Sequence, residues 1–144
     1  MFMKVLVPVI SGKEKSEGFV SRVLSEGKEI VLLQIVDEEF HTKAGSAIGE
    51  VRNFRMAVEE IKKSAIARKK KYIELTEWGA TITKIISIAI LHGVDKVFLV
   101  KQENQFFEDI IDELKKNKIK FEVVDVVGEV VEKRSVGDFF GRKK

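Results

Sequence analysis

Ile30-Val-Leu-Leu-Gln-Ile-Val36 is apolar on consecutive residues rather than on alternate ones. A strand written this way has no polar face and needs cover on both sides. Val5-Leu-Val-Pro-Val-Ile10, Val97-Phe-Leu-Val100 and Phe121-Glu-Val-Val-Asp-Val-Val127 repeat the pattern, and helical stretches separate the four runs. Helices on both faces of a parallel sheet are the arrangement that covers such strands. The fold class read from these runs is therefore α/β.

The intervening segments supply the rest of the order. After the first run, Ser11-Gly-Lys-Glu14 fits a capping box, with Ser16 as an alternative cap. Phe19, Val20, Val23 and Leu24 share one face of the helix that follows, and Gly27 is placed to end it in a left-handed conformation. The longest helical pattern runs from about Ser46 to Trp78. There Val51, Phe54, Val58, Ile61, Ala65, Tyr72 and Leu75 recur at three- and four-residue steps, and Gly79 closes it. Arg68 stands where an apolar residue is due. Ala80-Thr-Ile-Thr83 reads as a brief edge strand; without it the sheet has four strands. Ile85 to Leu91 reads as a buried helix ended by Gly93. Asn104 caps a last helix whose inner face is Phe106, Phe107, Ile110, Ile111 and Leu114. The order β-α-β-α-β-α-β-α-β, with right-handed crossovers, gives a doubly wound, three-layer α/β/α sheet. Residues 1–127 form this domain. Residues 128–144 are a C-terminal extension, read as partly disordered or in contact with a dimer partner.

Composition narrows the function classes. The chain has 144 residues and no cysteine, which excludes disulfides and thiolate metal sites. Charged residues make up 34% of it, above the roughly 25% of an average domain, with lysine and glutamate dominant. That balance leans toward a thermophilic source. A net charge of +3 is too small to argue for a nucleic-acid partner. No apolar run approaches the length of a membrane span, and no signal peptide precedes the first strand, so a cytoplasmic setting is expected.

The order and flanks of the runs resemble the universal stress protein family. Lys4-Val-Leu-Val-Pro8 is similar to that family's opening strand, which ends in a Val-Pro step. Leu32-Leu-Gln-Ile-Val-Asp37 is similar to its second strand, and Gly93-Val-Asp-Lys-Val-Phe-Leu-Val100 to its fourth. The resemblance covers roughly residues 3 to 127. It implies a five-stranded parallel sheet in the order 3-2-1-4-5, of the flavodoxin and adenine-nucleotide-hydrolase type, and commonly a homodimer. The departures are as specific as the matches. Nucleotide-binding members carry an aspartate just after the first Val-Pro step, and here that position is Ile10. They also carry a Gly-x-x-Gly loop after strand four. Here the stretch is Lys101-Gln-Glu-Asn-Gln-Phe-Phe-Glu-Asp109, and no glycine occurs between Gly93 and Gly128. The third strand and its loop also read as shorter than the family norm. Glycines let a backbone bring its N–H groups close to phosphate oxygens, whereas bulky residues obstruct that approach. Glu103, Glu108 and Asp109 add repulsion toward a triphosphate.

Each remaining motif has a bland reading beside its functional one. Ser11-Gly-Lys13 ends like a Walker loop but has Val7 where its first glycine belongs, so a strand-to-helix turn is expected. Asp37, Glu38, Glu39 and His41 can be written as a hard-metal or acid–base site, but no second ligand group is identifiable, so a solvated acidic turn is expected. His92 closes a helix and reads as a dipole partner. Arg68-Lys-Lys-Lys71 is a nucleic-acid motif in isolation; with Glu59, Glu60, Glu74 and Glu77 on the same helix it reads as a solvated face. Val123 to Val131 is strongly β-prone, and an edge strand there can pair with a second copy.

The expectation is thus a non-catalytic, homodimeric, regulatory or stress-protective protein. It does not hold ATP in the family's usual manner, carries no cofactor or metal, acts through unidentified protein partners, and engages neither nucleic acid nor membrane. The alternative is a module binding a nucleotide or another anion between the C-terminal ends of strands one and four. The cleft residues for that reading are Val9, Ser11, Val36, Lys101 and Asn104.

Overall fold

The computed structural model describes residues 3–37 and 47–126, with the side chains of the helix opening the second segment described from Arg52 onward. Its elements follow in strict alternation. They are β1 (Lys4–Val9), α1 (Glu17–Glu26), β2 (Glu29–Val36), α2 (Ala47–Ala67), β3 (Lys71–Trp78), α3 (Thr81–Leu91), β4 (Lys96–Val100), α4 (Gln105–Lys116) and β5 (Phe121–Val124). The strands form one sheet in the order β3-β2-β1-β4-β5, and every pairing is parallel. The five-stranded, doubly wound architecture is as the sequence implies.

The consecutive apolar runs are explained by two separate cores. Val5, Val7, Val9, Ile30, Leu32, Phe98 and Val100 point to one face, where they pack with Phe19 and Leu24 of α1 and Phe54 and Ile61 of α2. Leu6, Val31, Leu33, Val97 and Leu99 point to the other, against Ile85 of α3 and Ile110 and Leu114 of α4. Because side chains alternate along a strand, covering both faces requires every position to be apolar.

Three expectations are corrected. The helix that begins near Ser46 stops at Ala67, not at Trp78. Lys69 adopts φ 58°, and the N–H groups of Lys69 and Lys70 donate to the carbonyls of Ile66 and Ala65. That is a left-handed helix end made by a lysine, so the sequence shows no glycine to mark it. The third strand is Lys71–Trp78, eight residues long, rather than Ala80–Thr83, which instead leads into α3. Tyr72 and Leu75 therefore do not continue a helical stripe. Tyr72 packs against the α1–α2 core, while Ile73 and Leu75 pack against the opposite one. Gly27 ends α1 with φ −84°, in an extended rather than a left-handed conformation. Its requirement is steric, since a Cβ there would lie 2.8 Å from Val5 Cγ2. The tail 128–144, and the Val127–Val131 part of the proposed pairing edge, lie outside the described residues.

Candidate functional site

In doubly wound sheets ligands bind outside the C-terminal ends of the strands, where the strand order reverses. Here that point lies between β1 and β4. The loop after β1 turns sharply at Gly12, whose φ of 82° is one that residues with a side chain rarely adopt. The turn aims successive backbone N–H groups at one spot, an arrangement suited to an anion. The spot is filled by the chain itself. Glu14 Oε2 accepts from the N–H of Ile10 at 3.2 Å and of Ser11 at 3.1 Å, and Oε1 accepts from the N–H of Gly12 at 2.9 Å. The Ser11 hydroxyl donates to Oε2 at 2.9 Å. Glu14 is fully buried. Burial pushes its carboxyl up from the usual range, against the opposing pull of the Ser11 hydroxyl and the backbone donors.

The Ser11-x-x-Glu14 spacing read as a helix cap has this different use. Helix α1 starts at Glu17, with Ser16 at the capping position making no side-chain cap bond. Glu14 was thus visible in the sequence as a partner of Ser11, but the group it serves is the loop. Nothing in the spacing marks it as a buried carboxyl group.

The starts of α3 and α4 at this end are also satisfied internally. Asp37 Oδ2, after β2, accepts from the N–H and the hydroxyl of Thr81 at 2.9 and 2.8 Å, which fastens the start of α3. Asp37 is therefore a structural partner of Thr81; Glu38, Glu39 and His41 of the same acidic turn lie outside the described residues. Asn104 Oδ1 accepts from the N–H of Phe107 at 2.7 Å and caps α4 as expected. Among the described residues, no group of three or more histidine, aspartate or glutamate side chains is placed to hold a metal ion.

The five expected cleft residues separate. Val9 is buried in the α1–α2 core. Val36 is half-buried at the end of β2, beside Trp78. Lys101 is exposed, donates its N–H to the Val124 carbonyl, and faces Glu103 at 3.9 Å. Asn104 is committed to its cap. Of the five, Ser11 alone lines a groove of about 830 Å³ between α1 and α2, whose walls include Gly12, Lys13, Asn53, Ser64 and Arg68. Two buried polar atoms near the switch point, Ser16 Oγ and Gln102 Nε2, have no hydrogen-bond partner among the described residues.

Sequence comparison finds no matching family model and no matching curated protein. Comparison of folds does find similar structures. Hypothetical protein MJ0577, the subject of a structure-based assignment of biochemical function, superposes with a TM-score of 0.60 at 22% identity. The match covers 87% of this chain and 96% of that one. A universal stress protein in complex with cAMP matches with a TM-score of 0.52 at 15% identity, over 87% of this chain and 96% of its own. A universal stress protein from Archaeoglobus fulgidus gives 0.55 at 14% identity, over 87% and 93%. At these identities the likeness is one of fold.

Proposed function

We propose that this chain is a universal-stress-protein-type regulatory domain, non-catalytic, whose β1–α1 loop is closed to nucleotide phosphates by its own Glu14. The observation that carries the reading is the set of three backbone N–H groups and one hydroxyl converging on that buried carboxylate. A phosphate arriving there meets a filled acceptor position rather than free donors. The loop after β4 supports the same conclusion. It has no glycine, and its helix start is taken by Asn104. Without a phosphate site, function passes to protein contacts. In this reading the protein is cytoplasmic and pairs through the edge strand β5, where Val123 is exposed.

A second reading keeps a small ligand, and two observations favour it. The unpartnered Ser16 hydroxyl and Gln102 amide nitrogen sit on the loops that flank the switch point, and one neighbour of the same fold is described with cAMP. Thermal melts with AMP and cAMP separate the two. The first reading expects no shift. A bound nucleotide at a hundredfold excess over its dissociation constant adds about 2.7 kcal/mol, and that result would replace the first reading by the second. Light scattering that reports a monomer would remove the pairing through β5.

A further inference from the structure

A second concavity, which shares Arg68 with the α1–α2 groove, lies at the opposite, N-terminal end of the sheet. It is an open depression of about 390 Å³, lined by Lys28, Arg68, Lys69, Lys70 and Lys71. The run Arg68-Lys-Lys-Lys71 reads as a solvated helix face when it is drawn as part of one long helix. The structure removes that reason. Helix α2 ends at Ala67, so the run occupies the turn into β3. The pairing of β3 with β2 then brings Lys28 beside it, with the Lys71 N–H donating to the Lys28 carbonyl.

Three of the four glutamates that dilute the run on paper are engaged elsewhere. Glu59 and Glu74 pair with Arg55 and Lys62, and Glu77 with Lys84. None of the five cations forms an ion pair within the described residues. Arg68 alone makes a side-chain bond, donating to Ser21 Oγ at 3.2 Å. The negative end of the α2 dipole accounts for only part of the group. Arg68, Lys69 and Lys70 follow the helix end directly, whereas Lys71 opens β3 and Lys28 precedes β2.

We propose that this cavity binds a compact anion made of linked phosphate groups. Several like charges around one concavity repel one another unless an external anion neutralises them. Lysine ammonium groups and an arginine fork suit phosphate oxygens. The walls carry no aromatic or aliphatic residue. A ligand is therefore recognised by charge, and the stacking platform of a single-stranded nucleic-acid site is missing. The proposal is independent of the reading of the β1–α1 loop.

Calorimetric titration of the full chain with inorganic tripolyphosphate tests it. The expected result is saturable one-to-one binding that weakens as salt rises. The double variant Lys28→Gln/Lys70→Gln weakens it by about tenfold or more, since two charge-assisted contacts are lost. The double variant Lys115→Gln/Lys116→Gln removes the same charge on the other face of the sheet and leaves binding unchanged. Thermal melts establish that both variants fold. Absence of saturable binding, an equal loss in both double variants, or orthophosphate binding as tightly as tripolyphosphate would overturn the proposal. So would a single-stranded oligonucleotide that binds more tightly than tripolyphosphate at equal salt. ATP also carries a triphosphate. A melt shift with ATP that Lys28→Gln/Lys70→Gln abolishes belongs to this cavity; one that survives belongs to the C-terminal end of the sheet.

Discussion

The two ends of the sheet treat negative charge in opposite ways. At the C-terminal end, where this architecture ordinarily meets ligands, three donor sets are already used: Glu14 fills the β1–α1 loop, Asp37 holds Thr81, and Asn104 caps α4. At the N-terminal end, five cations surround a cavity with no carboxylate in its walls. Near them the chain shows that it can neutralise charge at this end. Arg22 and Lys96 share Glu26 and Glu122 across α1, β4 and β5. The lesson is that a shared fold specifies where donors and dipoles lie, while individual side chains decide whether they remain available.

The largest effect is expected at Glu14. Replacing it by alanine leaves three loop N–H groups without their acceptor, a loss of about 2–4 kcal/mol. For a chain of this size that lowers Tm by roughly 6–12 °C. Added sulfate should recover more stability in Glu14→Ala than in the parent, because only the variant has an open anion site in the β1–α1 loop. A variant as stable as the parent would break the contrast between the two ends.

Gly27→Ala is next. Its new methyl group meets Val5 Cγ2 at 2.8 Å beneath the N-terminal end of the sheet. Denaturant titration should show a loss of about 1–3 kcal/mol from overpacking. Asn104→Ala removes the α4 cap and should cost about 1 kcal/mol, without creating the sulfate dependence expected of Glu14→Ala. A sulfate response there would place an anion site at α4 as well.

The smallest effect sharpens the comparison through pH. Hydrogen bonding to Arg22, then to Lys96, holds the Glu122 carboxyl below its ordinary range. Its stabilising effect is therefore present above the ordinary glutamate pKa and is lost as pH falls through the lowered folded value. Glu14 has the opposite sign. Burial raises it, so its effect is fully present below the ordinary glutamate pKa and is lost as pH rises through the raised folded value. Glu122→Gln should accordingly destabilise most near neutrality, by less than Asn104→Ala because these groups are partly exposed. Stability curves of the parent and Glu122→Gln should converge on acidification. A gap that widens at low pH would contradict the pairing.

Much of the fold was legible because burial on both faces leaves a local mark. Ile30–Val36 and Val97–Val100 cannot be apolar at every position without cover above and below. The third strand was not legible, because Lys71–Trp78 is an edge strand with exposed and half-buried positions mixed. Its Tyr72 and Leu75 fall by chance on the helical step of α2. The helix end before it is made by Lys69, which carries no signature of a stop.

By itself the sequence determined the two-faced strands, their alternation with helices, the Asn104 cap, and the absence of glycine between Gly93 and Gly128. These are properties of neighbours along the chain, where side-chain periodicity and capping act. Only the tertiary structure decided that Glu14 turns back into its own loop, and that Lys28 meets Arg68–Lys71. Both depend on where a backbone turn directs its donors and which strands lie side by side. Charge and hydrogen bonding act through space, over separations that spacing along the chain does not encode.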